Sequence, residues 1–100
     1  MLVIAGSFEF DPDQRDVAVA AAIAMQQATV KEDGCLAYVM SADLERPDLI
    51  HIFEKWTSDD ALQAHFRAPH MADFGAAART AGIKATVTQY EIASEGPVRR

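Results

Sequence analysis

The 100-residue sequence lacks features that several functional classes require. Its single cysteine, Cys35, excludes an intrachain disulfide framework and a cysteine-based zinc site. The five glycines are dispersed and form neither a phosphate-binding loop nor a dinucleotide fingerprint. No apolar run approaches the roughly 18 residues of a membrane span, and the apolar start, Met1–Ala5, is too short for a signal peptide. We therefore expect a cytoplasmic protein without a membrane partner.

Clustered positive charge is also missing. The net charge is −6, and the basic residues are scattered apart from Arg99 and Arg100. This distribution argues against a nucleic-acid partner, which requires grouped Lys and Arg. Half of the residues are hydrophobic and 24% are charged, which is typical of a soluble globular protein. The length suits one domain with one modest core, which we expect over residues 1–93, with a C-terminal tail over 94–100.

The order of the predicted elements indicates the fold class. Strands rich in β-branched and aromatic residues are predicted over 2–10, 35–42, 49–56 and 83–92. A helix is predicted over 11–32, and a second from Thr57 or Ser58 to Gly82, broken at Pro69 because the residue before proline disfavours helix. This order predicts a ferredoxin-like βαββαβ α+β sandwich, with two helices on one face of a four-stranded antiparallel sheet.

Both faces of this sheet carry apolar side chains. In the third strand Ile50, Ile52 and Trp56 point to one face, whereas His51 and Phe53 point to the other. Two helices can cover only one face, and the other would leave an apolar patch too large for water. The sequence therefore predicts a homodimer that packs sheet against sheet.

Two histidines flank the predicted helix break and are candidates for proton transfer. His65 falls in the last turn before Pro69, where the helix dipole favours imidazolium, and His70 in the first turn after it, where the dipole favours the neutral ring. If both face one cavity, His65 can hold a proton or orient an anion while His70 acts as a base. The alternative is that they are surface or capping residues, and the angle at Pro69 leaves this open.

A carboxylate and two aromatic residues complete the set of candidates. Glu54 shares strand parity with Trp56 and points into an apolar layer, where it needs a partner or a raised pKa. The alternative is an edge ion pair with Lys55 or Lys84. Trp56 and Tyr38 suit the core, a dimer interface or a ligand wall. No metal site is predicted, because His65 and His70 are five residues apart rather than four as in HExxH.

Three segments in order resemble one protein family. Glu32–Tyr38 is similar to its E-x-G-C-L-x-Y turn, and Ile52–Trp56 is similar to the E-x-W strand that follows. The segment 58–74, with Ser58, Ala61-Leu62, His65, Pro69-His70 and Phe74, resembles its next helix. On these residues the chain, over about 2–92, is identified as similar to the antibiotic biosynthesis monooxygenase (ABM) superfamily, in particular its quinol-monooxygenase-like branch.

The resemblance implies a dimeric α+β barrel with a cavity between sheet and helices. It also implies oxidation of a quinol or polycyclic phenol by O₂ without a metal, flavin or other cofactor. A base, His65 or His70, would remove a phenolic proton, and Glu54 would orient or assist it. The lining of the cavity would comprise Trp56, Tyr38, Phe66 and Phe74.

Two other functions fit the resemblance. One is an isomerase of a small carbonyl or dione metabolite, although a phosphorylated substrate would require cations, and only Arg67, Arg79 and Lys84 are near in sequence. The other is a non-catalytic dimer that binds a small molecule. Haem degradation is disfavoured, because His65 stands where haem-degrading relatives have Trp.

Overall fold

A computed structural model describes residues 1–99 as a four-stranded sheet with three helices on one face. The strands are β1 (Leu2–Glu9), β2 (Cys35–Ala42), β3 (Leu49–Trp56) and β4 (Lys84–Glu91). The helices are α1 (Arg15–Thr29), α2 (Asp59–Phe66) and α3 (Pro69–Ala81). The strand order is β2-β3-β1-β4 with every pair antiparallel, which confirms the ferredoxin-like prediction. Within residues 1–99, no helix is long and apolar enough to cross a membrane.

The first helix is shorter than predicted at both ends. A 3₁₀ turn, Pro12–Gln14, replaces its first turn, and α1 ends at Thr29 rather than near Glu32. Thr29 and Val30 are β-branched, and such residues weaken a helix. Turns follow instead, and the N–H of Glu32 donates to the carbonyl of Thr29 at 3.0 Å. This early end places Glu32 in a connection, where its side chain can reach other elements.

The predicted break at Pro69 is confirmed. Ser58 caps α2 by accepting a backbone N–H three residues on at 3.2 Å. Ala68 is extended, with φ −68° and ψ 146°, as the residue before proline prefers, and α3 begins at Pro69. The break brings the end of α2, which carries His65, next to the beginning of α3, which carries His70.

The core lies between the sheet and the helices. Trp56 and Leu62 are fully buried there. The strand parity predicted for this face is confirmed, since alternate residues of β1 and β3 contribute to it. The main cluster consists of Leu2, Ile4, Met25, Tyr38, Ile52, Trp56 and Leu62. A second cluster consists of Phe10, Ala18, Ala22, Ile50 and Ala81.

The opposite face of the sheet carries apolar side chains that the described residues leave exposed. Phe53 of β3 lies opposite Ala5 of β1 on one side and opposite Val39 of β2 on the other. Tyr90 of β4 lies opposite Val3 of β1. Phe53, Val39 and Tyr90 are 43%, 49% and 51% exposed. We call this surface the open sheet face. Its exposure confirms that both faces of the sheet carry apolar side chains.

The chain continues beyond β4 without further regular structure through residue 99. Lys55 of β3 contacts the carboxylate of Glu95 there. Arg100, the last residue of the predicted tail, lies outside the described residues. The boundary between a domain at 1–93 and a tail at 94–100 stays a prediction.

Gly6 permits the close approach of β1 and β4. A Cβ atom at this position would lie 2.1 Å from the carbonyl oxygen of Thr86 and 2.6 Å from the Cα of Val87. Both are backbone atoms, so no side-chain rotation can relieve the overlap.

We expect Gly6→Ala to lower the free energy of unfolding by about 3 kcal/mol, measured by urea denaturation. In the matched control Gly96→Ala, where a Cβ meets no atom within 4 Å, we expect a change below about 0.5 kcal/mol. Equal stability of the two variants would contradict this packing.

Candidate functional site

A single carboxylate oxygen joins the two candidate histidines. Oε2 of Glu32 lies 2.6 Å from Nδ1 of His65 and 2.9 Å from Nε2 of His70. The imidazole rings of the two histidines are 5.8 Å apart, centroid to centroid. A carboxylate only accepts hydrogen bonds, so each of these ring nitrogens carries the donated hydrogen. We call these three residues the Glu32 cluster.

Three separate segments build the Glu32 cluster. Glu32 lies in the turn after α1, His65 in the last turn of α2 and His70 in the first turn of α3. The side chain of His65 is 3% exposed, whereas those of Glu32 and His70 are 16% and 21% exposed. The two histidines therefore share one partner, and His70 is the more accessible of the two.

The ring of His65 is enclosed by aromatic residues. Its centroid is 4.9 Å from that of Trp56, 5.7 Å from Tyr38 and 5.8 Å from Phe66. Trp56 and Tyr38 belong to the buried core, while Phe66 is 49% exposed. These predicted lining residues thus surround His65, and they fix its orientation without opening it to a cavity.

Glu54 lies in the apolar layer behind His65, as its strand parity predicts. It is 7% exposed, and the indole Nε1–H of Trp56 donates to its Oε1 at 3.0 Å. Burial raises the pKa of Glu54, against the lowering effects of the Trp56 hydrogen bond and of the charge of His65. Lys55, one alternative partner, contacts Glu95 instead.

The raised pKa of Glu54 makes the stability of the fold depend on pH. Its ordinary value is 4.5, so above that pH the unfolded chain releases this proton more readily than the folded chain does. The free energy of unfolding then falls as pH rises through the interval between the two pKa values.

Glu54→Gln keeps an acceptor for Trp56 without the charge. We expect it to be more stable than the wild type at neutral pH, with a smaller difference below pH 4.5, by urea denaturation. A difference that is independent of pH would contradict this.

Two other ionisable residues near the Glu32 cluster stay protonated. Burial raises the pKa of Tyr38, and the charge of Glu54 raises it further. Burial also raises the pKa of the Cys35 thiol, with a further contribution from the charge of Glu32. Because the thiolate is the nucleophile, this agrees with the absence of a predicted role for Cys35.

An apolar groove runs between α1 and α3, with a volume of about 380 Å³. The family resemblance implies a cavity between sheet and helices, whereas Trp56 and Leu62 fill the space where β3 faces α2. Small alanine side chains on both helices leave the groove open. Its walls comprise Val17, Ala20, Ala21, Ala24, Met25, His70, Asp73, Phe74 and Ala77.

The groove meets the Glu32 cluster at His70. Of the residues predicted for the site, His70 and Phe74 border the groove, whereas His65, Glu54, Trp56 and Tyr38 lie buried behind it. A smaller cleft of about 140 Å³ between α1 and β2 includes none of the predicted site residues.

Glu32 is the site residue that the sequence prediction missed. It lies 33 and 38 positions from the two histidines, a separation that no helical or strand period connects. Its only mark in the sequence is its place at the start of the E-x-G-C-L-x-Y segment, which indicates the family but assigns no role to the glutamate.

The fold and this site define an α+β ferredoxin-like domain with a histidine-bordered apolar groove. The chain belongs to the antibiotic biosynthesis monooxygenase family, whose model matches residues 1–77. It is similar to a candidate antibiotic biosynthesis monooxygenase from Deinococcus radiodurans, with 25% identity, a TM-score of 0.90 and complete coverage of both chains. A Mycobacterium tuberculosis protein is 26% identical, with a TM-score of 0.84 and coverage of 96% of this chain and 98% of that one. A candidate monooxygenase of this kind from Chloroflexus aurantiacus is 28% identical, with a TM-score of 0.76 and coverage of 95% and 96%. The chain matches no curated protein.

Proposed function

We propose that the protein is a cofactor-independent monooxygenase that oxidises a quinol or polycyclic phenol with O₂, and that His70 is its base. The observation that carries the proposal is the place of His70, which is hydrogen-bonded to Glu32 and borders an apolar groove in a chain of this family. The volume of the groove falls within the range of small-molecule sites.

The hydrogen bond from His70 to Glu32 prepares the imidazole for proton abstraction. Nε2–H donates to the carboxylate, so the lone pair of the neutral ring lies on Nδ1. The N-terminus of α3 favours the neutral ring before reaction. After proton uptake, the charge of Glu32 stabilises the imidazolium, as a carboxylate does in other histidine-carboxylate pairs.

His65 is assigned a positioning role. It is enclosed by aromatic residues and donates to the same oxygen of Glu32 at 2.6 Å. This second hydrogen bond fixes the carboxylate that orients His70. Glu54 supports the arrangement from behind by holding Trp56, which packs against His65.

The proposed reaction uses the substrate as the reductant of O₂. His70 takes the phenolic proton, and the electron-rich anion reduces O₂ directly. O₂ bonds to the ring carbon para to the hydroxyl as a peroxide, which takes the proton back from His70. Loss of the hydrogen on that carbon and cleavage of the O–O bond then leave one oxygen atom on the ring and release the other as water. The products are a quinone and H₂O, so phenol plus O₂ balances in atoms and electrons. A substrate that fills the apolar groove would displace water from around the charged intermediate.

Oxygen dependence tests this reaction. The purified protein is mixed with the two-ring phenol 1-naphthol, in air and under argon, and quinone formation is followed by absorbance. We expect turnover in air and none under argon. Turnover that continues under argon, or no turnover of two- and three-ring phenols in air, would contradict the proposal.

The composition of the groove gives less support to an isomerase of phosphorylated substrates. Among residues 1–99 no lysine or arginine lines it, and Asp73 adds a negative charge. The cations that are near in sequence, Arg67, Arg79 and Lys84, are absent from its walls within the described residues. The apolar lining instead suits an aromatic substrate.

We also propose that two chains associate through the open sheet face. Phe53, Val39 and Tyr90 present an exposed apolar surface, and a second copy would cover it by symmetry. The cytoplasmic location expected from the sequence stays a prediction.

Phe53→Asp tests the association. A carboxylate at the centre of an apolar interface should dissociate the dimer, because a buried charge without a partner is strongly unfavourable. We expect light scattering to give a dimer for the wild type and a monomer of 10.9 kDa for the variant. Phe66→Asp, at a residue of similar exposure on α2, should remain a dimer. A monomeric wild type would contradict the proposal.

A further inference from the structure

The Glu32 cluster brings three metal-binding atoms close together. Oε2 of Glu32, Nδ1 of His65 and Nε2 of His70 all lie within 4.8 Å of one another. Two imidazole nitrogens and one carboxylate oxygen form a donor set that binds zinc in catalytic sites and leaves a fourth position open. The spacing of the two histidines gave no sign of such a set, because the third donor comes from a distant turn.

The two distances from Oε2 require little change, whereas the distance between the two imidazole nitrogens, which is at most 4.8 Å, would shorten to a similar value. Zinc bonds to imidazole nitrogen and carboxylate oxygen are about 2.0–2.2 Å long, so tetrahedral donors lie roughly 3.3 Å apart. The present distances from Oε2 to the two nitrogens are 2.6 and 2.9 Å. Each would lengthen by less than about 1 Å if an ion replaced the two shared hydrogens. Each neutral ring would move its proton to its other nitrogen.

The surroundings of the cluster favour an ion that enters from one side. His65 is held in place by Trp56, with ring centroids 4.9 Å apart, so it needs little ordering to act as a ligand. Glu32 and His70 remain partly exposed and offer access from the solvent.

We propose that Glu32, His65 and His70 form a binding site for a divalent first-row transition ion, with a fourth position open to water or a small ligand. The mixed nitrogen and oxygen donors select such ions over Mg²⁺, which prefers oxygen ligands. The site does not depend on the proposed oxidation. The same three residues act as a base and its positioning partners when the ion is absent, and as ligands when it is bound.

Direct titration tests the site. Untagged, chelator-treated protein is titrated with Zn²⁺ by calorimetry and by competition with a chromophoric chelator. We expect one Zn²⁺ per chain, binding that weakens as pH falls because protonated imidazole cannot bind a metal, and no comparable binding of Mg²⁺. Absence of Zn²⁺ binding, or a preference for Mg²⁺, would overturn the proposal.

Two variants locate the ion. His70→Ala and Glu32→Gln should each weaken Zn²⁺ binding by roughly 100-fold or more, since loss of a direct ligand should exceed the effect of losing an outer partner. The control His51→Ala removes the third histidine, which pairs with Asp43 elsewhere, and should leave affinity unchanged. Circular dichroism confirms that each variant is folded, and Glu32→Gln preserves side-chain volume if His70→Ala does not fold. Wild-type affinity in either folded ligand variant, or its loss in His51→Ala, would place the ion outside this cluster.

Discussion

His70→Gln is expected to lower kcat/KM for the phenol substrate by roughly 10²–10⁴-fold, the usual contribution of a general base. His70 borders the groove and can receive the substrate proton, whereas glutamine cannot accept one at neutral pH. Glutamine can still donate a hydrogen bond to Glu32, so the fold should be retained. The measurement is steady-state oxidation in air, with circular dichroism as a check of folding.

His51→Gln is the matched control for this variant. His51 pairs with Asp43 at 2.7 Å, and its side chain is half exposed on the sheet face away from the helices. We expect His51→Gln to have the same kcat/KM as the wild type and the same mass in light scattering. If His70→Gln retained the wild-type kcat/KM while folded, His70 would not be the base.

Glu32→Ala is expected to damage both stability and activity. His65 is 2% exposed, and the substitution leaves its Nδ1–H without an acceptor. A buried donor without a partner costs about 1–3 kcal/mol of stability. The substitution also removes the charge that stabilises protonated His70. We therefore expect a lower free energy of unfolding by urea denaturation and a loss of kcat/KM comparable with that of His70→Gln.

The double variant Glu32→Ala/His70→Gln separates these two effects. If Glu32 acts on the reaction through His70, its removal should cost little further kcat/KM once His70 is gone, because residues that act as a unit are not additive. The effect on stability should persist, since it arises at His65. Losses of kcat/KM that multiply in the double variant would show that Glu32 acts independently of His70.

Local sequence signals predicted most of the fold. Alternation in β3 placed Ile52 and Trp56 in the core and Phe53 on the open sheet face, because side chains of a strand alternate strictly. Pro69 predicted the break between α2 and α3 for an equally local reason. The helix predicted to end at residue 32 ends earlier, at Thr29, where the β-branched Thr29 and Val30 weaken it.

The site was only partly predictable because its key contacts are long-range. His65 and His70 were candidates from their residue type, yet their meeting depends on how α2 and α3 dock, which residue spacing does not encode. Glu32 joins them from a turn that the predicted helix had included. The place of the groove beside His70 is also a matter of long-range packing, since the packing of Trp56 and Leu62 decides where empty space remains.

Isotope labelling tests the proposed oxidation most directly. The protein oxidises 1-naphthol under ¹⁸O₂ in ordinary water, and the product is reduced at once and analysed by mass spectrometry. The proposal predicts a quinone that has gained one ¹⁸O atom from O₂, with the other released as water. A product that carries no ¹⁸O, or hydrogen peroxide formed in equal amount, would contradict oxygen insertion by this groove and its His70–Glu32 pair.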